Sequence, residues 1–134
     1  MSTFPDRGGR YPIHYQASEG RIDDLAQSLA AGVDPSIRDR GHWTPLHFAA
    51  QSLHPEAVRL LIDAGADIEA RNNFGATPLF VAFANARNDD RGVIGLLLDA
   101  GADLDAENAA GISPRKAAEV VANFDLKRYI PPGR

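Results

Sequence analysis

Four histidines are the side chains in this sequence best suited to binding a metal ion or moving a proton. They lie at positions 14, 42, 47 and 54, and no two have the one-turn spacing of a zinc protease. Catalysis needs several groups that converge on one point, and no such cluster accompanies these histidines. The sequence has no cysteine, which excludes disulfides, thiolate zinc sites and a cysteine nucleophile. We therefore predict no catalytic residue, no metal site and no cofactor.

The acidic pair Asp89 and Asp90 is the other candidate for site chemistry, because carboxylates bind hard cations. The surrounding residues lack the alternating oxygen ligands and the central glycine of a calcium loop. No glycine-rich loop precedes a strand-like segment in the way that a phosphate site requires. We interpret the pair as solvated charge.

Charge is distributed unevenly along the chain. The formal net charge is −4, yet the segment 11–125 alone holds nine basic and seventeen acidic residues. An acidic body of this kind repels phosphate backbones, so we expect no nucleic-acid ligand. A partner protein with a basic surface fits this charge. It is an equal alternative that the carboxylates only keep the protein soluble.

Length and composition indicate one ordinary globular domain. The 134 residues are 44% apolar and 24% charged, the usual balance of a protein that folds in water. The first residues, MSTFPDRGGRYP, contain no apolar core of signal-peptide length. No segment reaches the roughly 18 apolar residues that a membrane-spanning helix needs. We expect a cytoplasmic protein with no membrane partner, monomeric when free.

The elements that carry these residues follow from internal self-similarity. The segment TPLHFAA at 44–50 recurs as TPLFVAF at 77–83, and the offset from position 44 to position 77 defines the repeat period. Weaker copies lie at 11–17, YPIHYQA, and at 113–118, SPRKAA. A second motif keeps the same register: AGVD at 31–34, AGAD at 64–67 and AGAD at 100–103. Two motifs that share one period indicate a repeat protein.

The two motifs resemble the ankyrin-repeat family, whose units carry Thr-Pro-Leu-His, two alanines, a leucine-rich helix and Gly-Ala-Asp. The resemblance implies an all-α solenoid of about four helix-turn-helix repeats, with projecting β-turn or hairpin loops. We expect one domain over 11–130, between a flexible N-terminal segment at 1–10 and a C-terminal tail at 131–134. The repeats are predicted at approximately 11–38, 39–71, 72–107 and 108–130.

Single residues agree with this architecture. Thr44 and Thr77 suit helix N-caps, and the prolines that follow them suit the first helical position. Gly65 follows a leucine-rich segment, as a left-handed glycine does at a helix end. The residues that we assign to the structural repeat motif are Thr44, Pro45, Leu46, His47, Gly65, Thr77, Pro78 and Gly101.

The resemblance also implies structural roles for polar residues that might otherwise suggest a ligand site. His14 and His47 occupy the position at which the family's histidine makes a hydrogen bond within the turn. Asp34, Asp67 and Asp103 recur at the repeat period, and we expect them to brace turns.

Three departures from the repeat are informative. His42 replaces the glycine found two residues before Thr77, and histidine tolerates a positive φ better than most residues. The first unit, beginning near Tyr11, is expected to lack a preceding hairpin. Arg115 and Lys116 replace the Leu-His pair of the last unit, which suits a polar terminal face. We predict a closing helix over 124–130.

Family resemblance places the partner-binding face on the hairpin tips, at 38–43, 71–76 and 107–112, and on the inner helices. Tryptophan and arginine are frequent energetic anchors at interfaces, so Trp43 beside Arg40 is our first choice. The alternative is that Trp43 only covers the next hairpin. The binding candidates on tips and inner helices are Arg40, His42, Trp43, Gln51, Ser52, Asn73, Phe74 and Asn85.

A three-residue insertion within 85–92 adds Arg87, Asp89 and Asp90 to the binding candidates. Insertions in repeat proteins map to loops, often on the binding side. Loops also accept insertions neutrally, so a binding role and a neutral one remain equal alternatives.

The resemblance implies a protein–protein interaction module and not an enzyme. A sharper alternative is a bacterial immunity or inhibitor protein that neutralises a basic toxin domain. The short single-module chain, the acidic body and the absence of an export signal favour that alternative. An enzyme is a distant third hypothesis, because the titratable groups are scattered around turns.

Overall fold

The computed structural model describes residues 5–86 and 92–120, and within them the regular elements are all helices. They occur as short helices joined by tight turns, which confirms the predicted all-α ankyrin-repeat architecture. The helices are α1 Pro12–Glu19, α2 Ile22–Ala30, α3 Pro45–Gln51, α4 Pro55–Asp63, α5 Pro78–Asn85, α6 Val93–Asp99 and α7 Pro114–Val120.

Local signals set where the helices begin and end. Thr44 precedes α3, and its side-chain oxygen accepts a hydrogen bond from the His47 N–H at 3.3 Å. Thr77 does the same for the Phe80 N–H at the start of α5. Beyond α4 the backbone turns at Gly65, whose φ is 90°, a conformation that glycine adopts without steric cost.

The helices form two layers. The first helices of successive repeats pack together in the order α1, α3, α5 and α7, and the second helices α2, α4 and α6 form the other layer. Small and branched side chains fill the space between the layers. Ala49, Ala50, Val58 and Leu61 have no exposed surface. No helix here could bury its apolar side alone, so each repeat depends on its neighbours.

Four tips project from the helices, and each begins with a residue whose side chain caps the turn. Asp39 donates its N–H to the carbonyl of Trp43, and its Oδ1 accepts the N–H groups of Gly41 and Trp43 at 2.9 Å. The equivalent capping residues of the other tips are Asp6, Asn72 and Asn108.

The first tip corrects one expectation. The first repeat does not lack a hairpin, because Asp6 and Arg10 form the same turn, starting one repeat period before Asp39. Residues 5–10, assigned from sequence to a flexible segment, are therefore part of the repeat array. The tip joins its neighbour directly, since the Arg40 N–H donates to the Gly8 carbonyl at 2.9 Å.

Backbone contacts continue along the row of tips. The Asn73 N–H donates to the Gly41 carbonyl at 2.8 Å, and the Ala109 N–H donates to the Phe74 carbonyl at 2.9 Å. The tips are therefore one continuous edge of the solenoid. His42 has the predicted positive φ, 64°, at the place where later tips carry glycine.

Some sequence-based predictions lie outside the described residues. They are the closing helix over 124–130, the C-terminal tail and most of the insertion, including Arg87, Asp89 and Asp90. Among residues 5–86 and 92–120, no helix combines the length and apolarity needed to cross a membrane.

Candidate protein-binding surface

Trp43 is anchored at the second tip by contacts on several sides. Its ring centroid lies 5.6 Å from that of His47 and 5.3 Å from that of Phe48. Its indole N–H donates to Asn73 Oδ1 at 3.2 Å, which ties the second tip to the third. Trp43 remains half-buried, so part of the ring still faces solvent. It supports the neighbouring tip and also offers an ordered aromatic surface.

Phe74, at the third tip, is the most exposed large apolar residue of the described chain, with 61% of its surface accessible. Between Phe74 and Trp43 lies a depression of about 260 Å³, which we name the first depression. Its lining residues are Asp39, Gly41, Trp43, Phe48, Gln51, Asn73 and Phe74.

A second depression, of about 300 Å³, lies on the other side of Phe74. Side chains of α5 form its apolar floor, and amide side chains of two tips and of the α5 end form much of its rim. Its lining residues are Trp43, Asn72, Phe74, Ala76, Phe80, Val81, Ala84, Asn85 and Asn108. Trp43 and Phe74 line both depressions, which form one continuous surface.

The binding candidates predicted from sequence separate into two groups. Five of them line this surface: Trp43, Gln51, Asn73, Phe74 and Asn85. Three others do not line it. Arg40 lies against Gly9 of the first tip, His42 is exposed, and the Ser52 hydroxyl lies 3.5 Å from that of Ser18.

Several lining residues were not predicted from sequence. Phe80 and Ala84 stand one helical turn apart on α5, and Phe80 takes the register position that His47 has in the preceding repeat. An apolar residue in place of a structural histidine was the available signal. Asp39 and Asn72 lie within the predicted tips, but their role as caps was not predicted, because it depends on the turn geometry.

Comparison with protein-family models gives a match to the model described as "Ankyrin repeats (3 copies)", over residues 12–108. The match covers well over half of the sequence. The chain belongs to the ankyrin-repeat family. A search of curated proteins finds no match. Ankyrin repeats are a non-catalytic interaction fold, so in general terms this chain is a protein–protein interaction module.

The ankyrin histidines have the structural role that the resemblance implied. His47 Nε2–H donates to the Ala76 carbonyl at 2.8 Å, and its Nδ1 accepts the Thr44 N–H at 3.1 Å. This pattern requires the neutral ring. Burial lowers the pKa of His47 to about 4, against a weaker raising effect of the bond to Ala76. His14 forms the equivalent bonds to Ile37 and Tyr11, and burial lowers its pKa as well.

The recurring aspartates brace turns, as predicted. Asp34 Oδ1 accepts the Ser36 N–H at 2.9 Å, and Asp67 Oδ1 accepts the Glu69 N–H at 3.0 Å. Asp103 repeats the arrangement with the N–H of residue 105 at 2.8 Å. Within the part of the chain that the structure describes, no three His, Cys, Asp or Glu side chains form a group able to hold a metal ion.

The tips and the remainder of each of the first three ankyrin repeats carry net charges of opposite sign. In the described residues, the helices and turns between tips carry a formal charge of −3 in each of the first three repeats. The first three tips each carry +1: Arg7 and Arg10 with Asp6, Arg38 and Arg40 with Asp39, and Arg71 alone. The acidic excess seen in the sequence therefore belongs to the segments between the tips and not to the tips themselves.

Proposed function

We propose that this ankyrin-repeat protein binds a partner protein through the surface formed by the second and third tips and the exposed side of α5. The observation that carries the proposal is the pair of depressions that share Trp43 and Phe74. We assign the protein no catalytic step. Its function on this proposal is recognition alone.

The exposure of Phe74 supports the proposal. Phe74 is 61% exposed, so its side chain contributes little hydrophobic free energy to folding. An accessible aromatic beside an ordered tryptophan is typical of an interface hot spot. The hydrogen bonds between adjacent tips hold both residues in place, which reduces the entropy lost on binding.

Alanine substitution combined with partner capture from the native host tests this function. Trp43→Ala and Phe74→Ala should each weaken partner binding by roughly thirtyfold, which corresponds to a hot-spot loss of about 2 kcal/mol. Val33→Ala is the matched control, because Val33 is an exposed apolar residue in a turn away from the tips. Isothermal titration with the captured partner measures the affinities, and circular dichroism checks that helicity is unchanged.

The inserted loop is the competing surface. If Asp89→Ala combined with Asp90→Ala abolishes binding while Trp43→Ala and Phe74→Ala do not, the partner docks on the loop and our choice of surface is wrong.

We propose as a second candidate the neutralisation of a basic toxin domain. The helices and turns between tips, which we call the repeat bodies, carry a charge of −3 in each of the first three repeats. This charge supports the second candidate and indicates a contact away from the tips. If this negative charge attracts the basic partner, association should slow markedly as ionic strength rises. A rate that is insensitive to salt, or the absence of a toxin-like reading frame beside the gene, would count against this candidate.

A further inference from the structure

The first two tips carry arginines that have no acidic partner among the described residues. Arg7, Arg38 and Arg40 are all exposed. The ion pairs in the described ranges involve other cations, namely Arg10, Arg21 and Arg115. The Asp39 carboxylate, which these arginines flank in sequence, has one oxygen occupied by two backbone N–H groups of its own tip. Positive charge therefore predominates on the N-terminal side of the first depression.

The arginines are positioned by the same contacts that join the tips. A Cβ on Gly9 would lie 2.8 Å from Arg40 Cγ, so the Arg40 side chain runs across the first tip. Gly41, the next residue, lines the first depression. The third tip also has a cation, Arg71, but its guanidinium donates hydrogen bonds to the carbonyls of Gly75 and Glu107. The arginines without such bonds therefore lie on the first two tips, and the large exposed apolar side chain, Phe74, lies on the third.

Asn72, one of the residues that line the second depression, has a side-chain donor without an acceptor among the described residues. Asn72 is 6% exposed, and its Oδ1 accepts the N–H groups of Phe74 and Ala76. These two bonds determine the orientation of the amide, and they leave Nδ2 buried with no partner among the described residues. Buried donors in native proteins are nearly always paired. Because Asn72 is one of the residues that line this depression, we take its Nδ2 as the donor for an acceptor that enters there.

Together these features indicate a ligand whose two ends differ in polarity. We propose that the partner segment is acidic at one end and apolar at the other. Its carboxylates meet Arg7, Arg38 and Arg40, and one apolar side chain enters the second depression beside Phe74. A carbonyl oxygen of the segment accepts the hydrogen bond from Asn72 Nδ2. This inference rests on the proposed function, because it specifies the chemistry of the partner at the same surface.

The volumes of the two depressions suit the binding of single side chains of a partner better than the binding of a whole small molecule. Pockets for drug-sized ligands measure about 300–1,000 Å³ and are largely enclosed. The two depressions, at about 260 and 300 Å³, are at or below this range. The acidic side chains of the repeat bodies are not among the residues that line either depression, and physiological salt screens exposed charges that are more than about 8 Å apart.

Panning a phage-displayed library of random dodecapeptides against the immobilised full-length protein tests the inference. We expect enriched peptides to carry two or more acidic residues close to a leucine, isoleucine, methionine or phenylalanine. The most enriched peptide is then synthesised, and its affinity for variants is measured by fluorescence anisotropy.

Three variants separate the parts of the proposed site. Arg40→Glu should weaken peptide binding by about fivefold, whereas the matched reversal Arg59→Glu, at an exposed position of α4, should change it by less than about twofold. Asn72→Asp should weaken binding by about fivefold. Aspartate already caps the equivalent turn at Asp39, so this change keeps the tip while it removes the donor and adds one negative charge. The same variant is therefore also titrated with a peptide in which asparagine and glutamine replace the acidic residues, and a loss confined to the acidic peptide would contradict the hydrogen bond from Asn72.

The outcomes distinguish the inference from the function on which it rests. Basic or uncharged peptides that lose binding in Phe74→Ala would overturn the acidic segment and leave the proposed surface intact. A library that yields no peptide dependent on Trp43 or Phe74 would overturn both. Displacement of the acidic peptide by a short oligothymidylate would assign the surface to nucleic acid and would also overturn the inference.

Discussion

The bodies of the ankyrin repeats and their tips repeat in different ways. The bodies repeat side chains, such as the threonine caps and the buried alanines and leucines, because each helix pair must fit its neighbour. The tips repeat a backbone hydrogen-bond pattern instead. A capping residue such as Asp39 or Asn72 is needed in each, and the intervening side chains are free to vary.

The second and third tips illustrate this freedom. Both turns close with the same bonds, yet one carries an arginine and a tryptophan, and the other carries Phe74. The left-handed position is His42 in one and Gly75 in the other. Stability in this protein should therefore reside in the bodies, while the side chains of the tips determine recognition.

The largest expected effect on stability comes from the repeat bodies. Leu61, on α4, has no exposed surface, so Leu61→Ala should lower the free energy of unfolding by about 2–5 kcal/mol. Phe74→Ala at the exposed tip should change it by less than about 0.5 kcal/mol. Urea unfolding followed by circular dichroism measures both. Similar losses for the two variants would remove the distinction between bodies and tips.

Two glycines test how tightly the tips are joined. Both Gly65 and Gly75 have positive φ, so replacement by alanine should cost about 1–2 kcal/mol in either place. An added Cβ at Gly65 meets no atom within 4 Å, whereas at Gly75 it would lie 2.7 Å from the Ala109 backbone nitrogen. Gly75→Ala should therefore cost at least about 1 kcal/mol more in the same assay. Equal costs would mean that the tips separate easily.

The buried histidines connect the bodies to the tips and make stability depend on pH. The pKa of His47 is lowered from 6.5 to about 4 in the folded protein, so the unfolded chain binds more protons between these values. Stability is complete above pH 6.5 and should fall by up to about 1.4 kcal/mol per pH unit as the pH decreases through this window. His14 adds to the effect in the same direction.

Urea midpoints between about pH 7.5 and pH 5 measure this dependence, above the range where most carboxylates titrate. His47→Gln should make the slope shallower, because it removes the group whose pKa is lowered in the folded protein. A wild-type slope that matches that of His47→Gln would show that the pKa of His47 is not lowered in the folded protein.

The smallest expected effect concerns the strained position of the second tip. His42 has a φ of 64°, which glycine adopts at less steric cost. His42→Gly should raise the free energy of unfolding by at most about 1 kcal/mol, since glycine also gains entropy in the unfolded chain. A clear loss of stability would mean that the His42 side chain makes a contact that stabilises the tip.

The fold was largely predictable because its signals are local. Thr44, Thr77 and Gly65 each act within one turn of chain, and the repeat period places them in register. The first tip was missed because it carries no apolar motif. Its one signal was Asp6, one repeat period before Asp39, and that signal is clear only once Asp39 is seen to cap a turn.

The candidate surface was partly predictable for a related reason. Trp43, Asn73 and Phe74 occupy consecutive tips, and stacked repeats bring consecutive tips together. Phe80 and Ala84 could not be placed in the same way. Their contribution to the second depression depends on how α5 lies against the tips.

The sequence by itself determined the repeat, its caps, its helix ends and the turn hydrogen bond of the structural histidines, because these depend on short-range geometry. Only the tertiary structure decided where the charges lie, which aromatic residues share a depression, and that Asn72 has an unpaired donor beside Phe74 among the residues described. These properties depend on distances between residues of different repeats. Such distances follow from the angle at which one helix pair packs on the next, and no single repeat determines that angle.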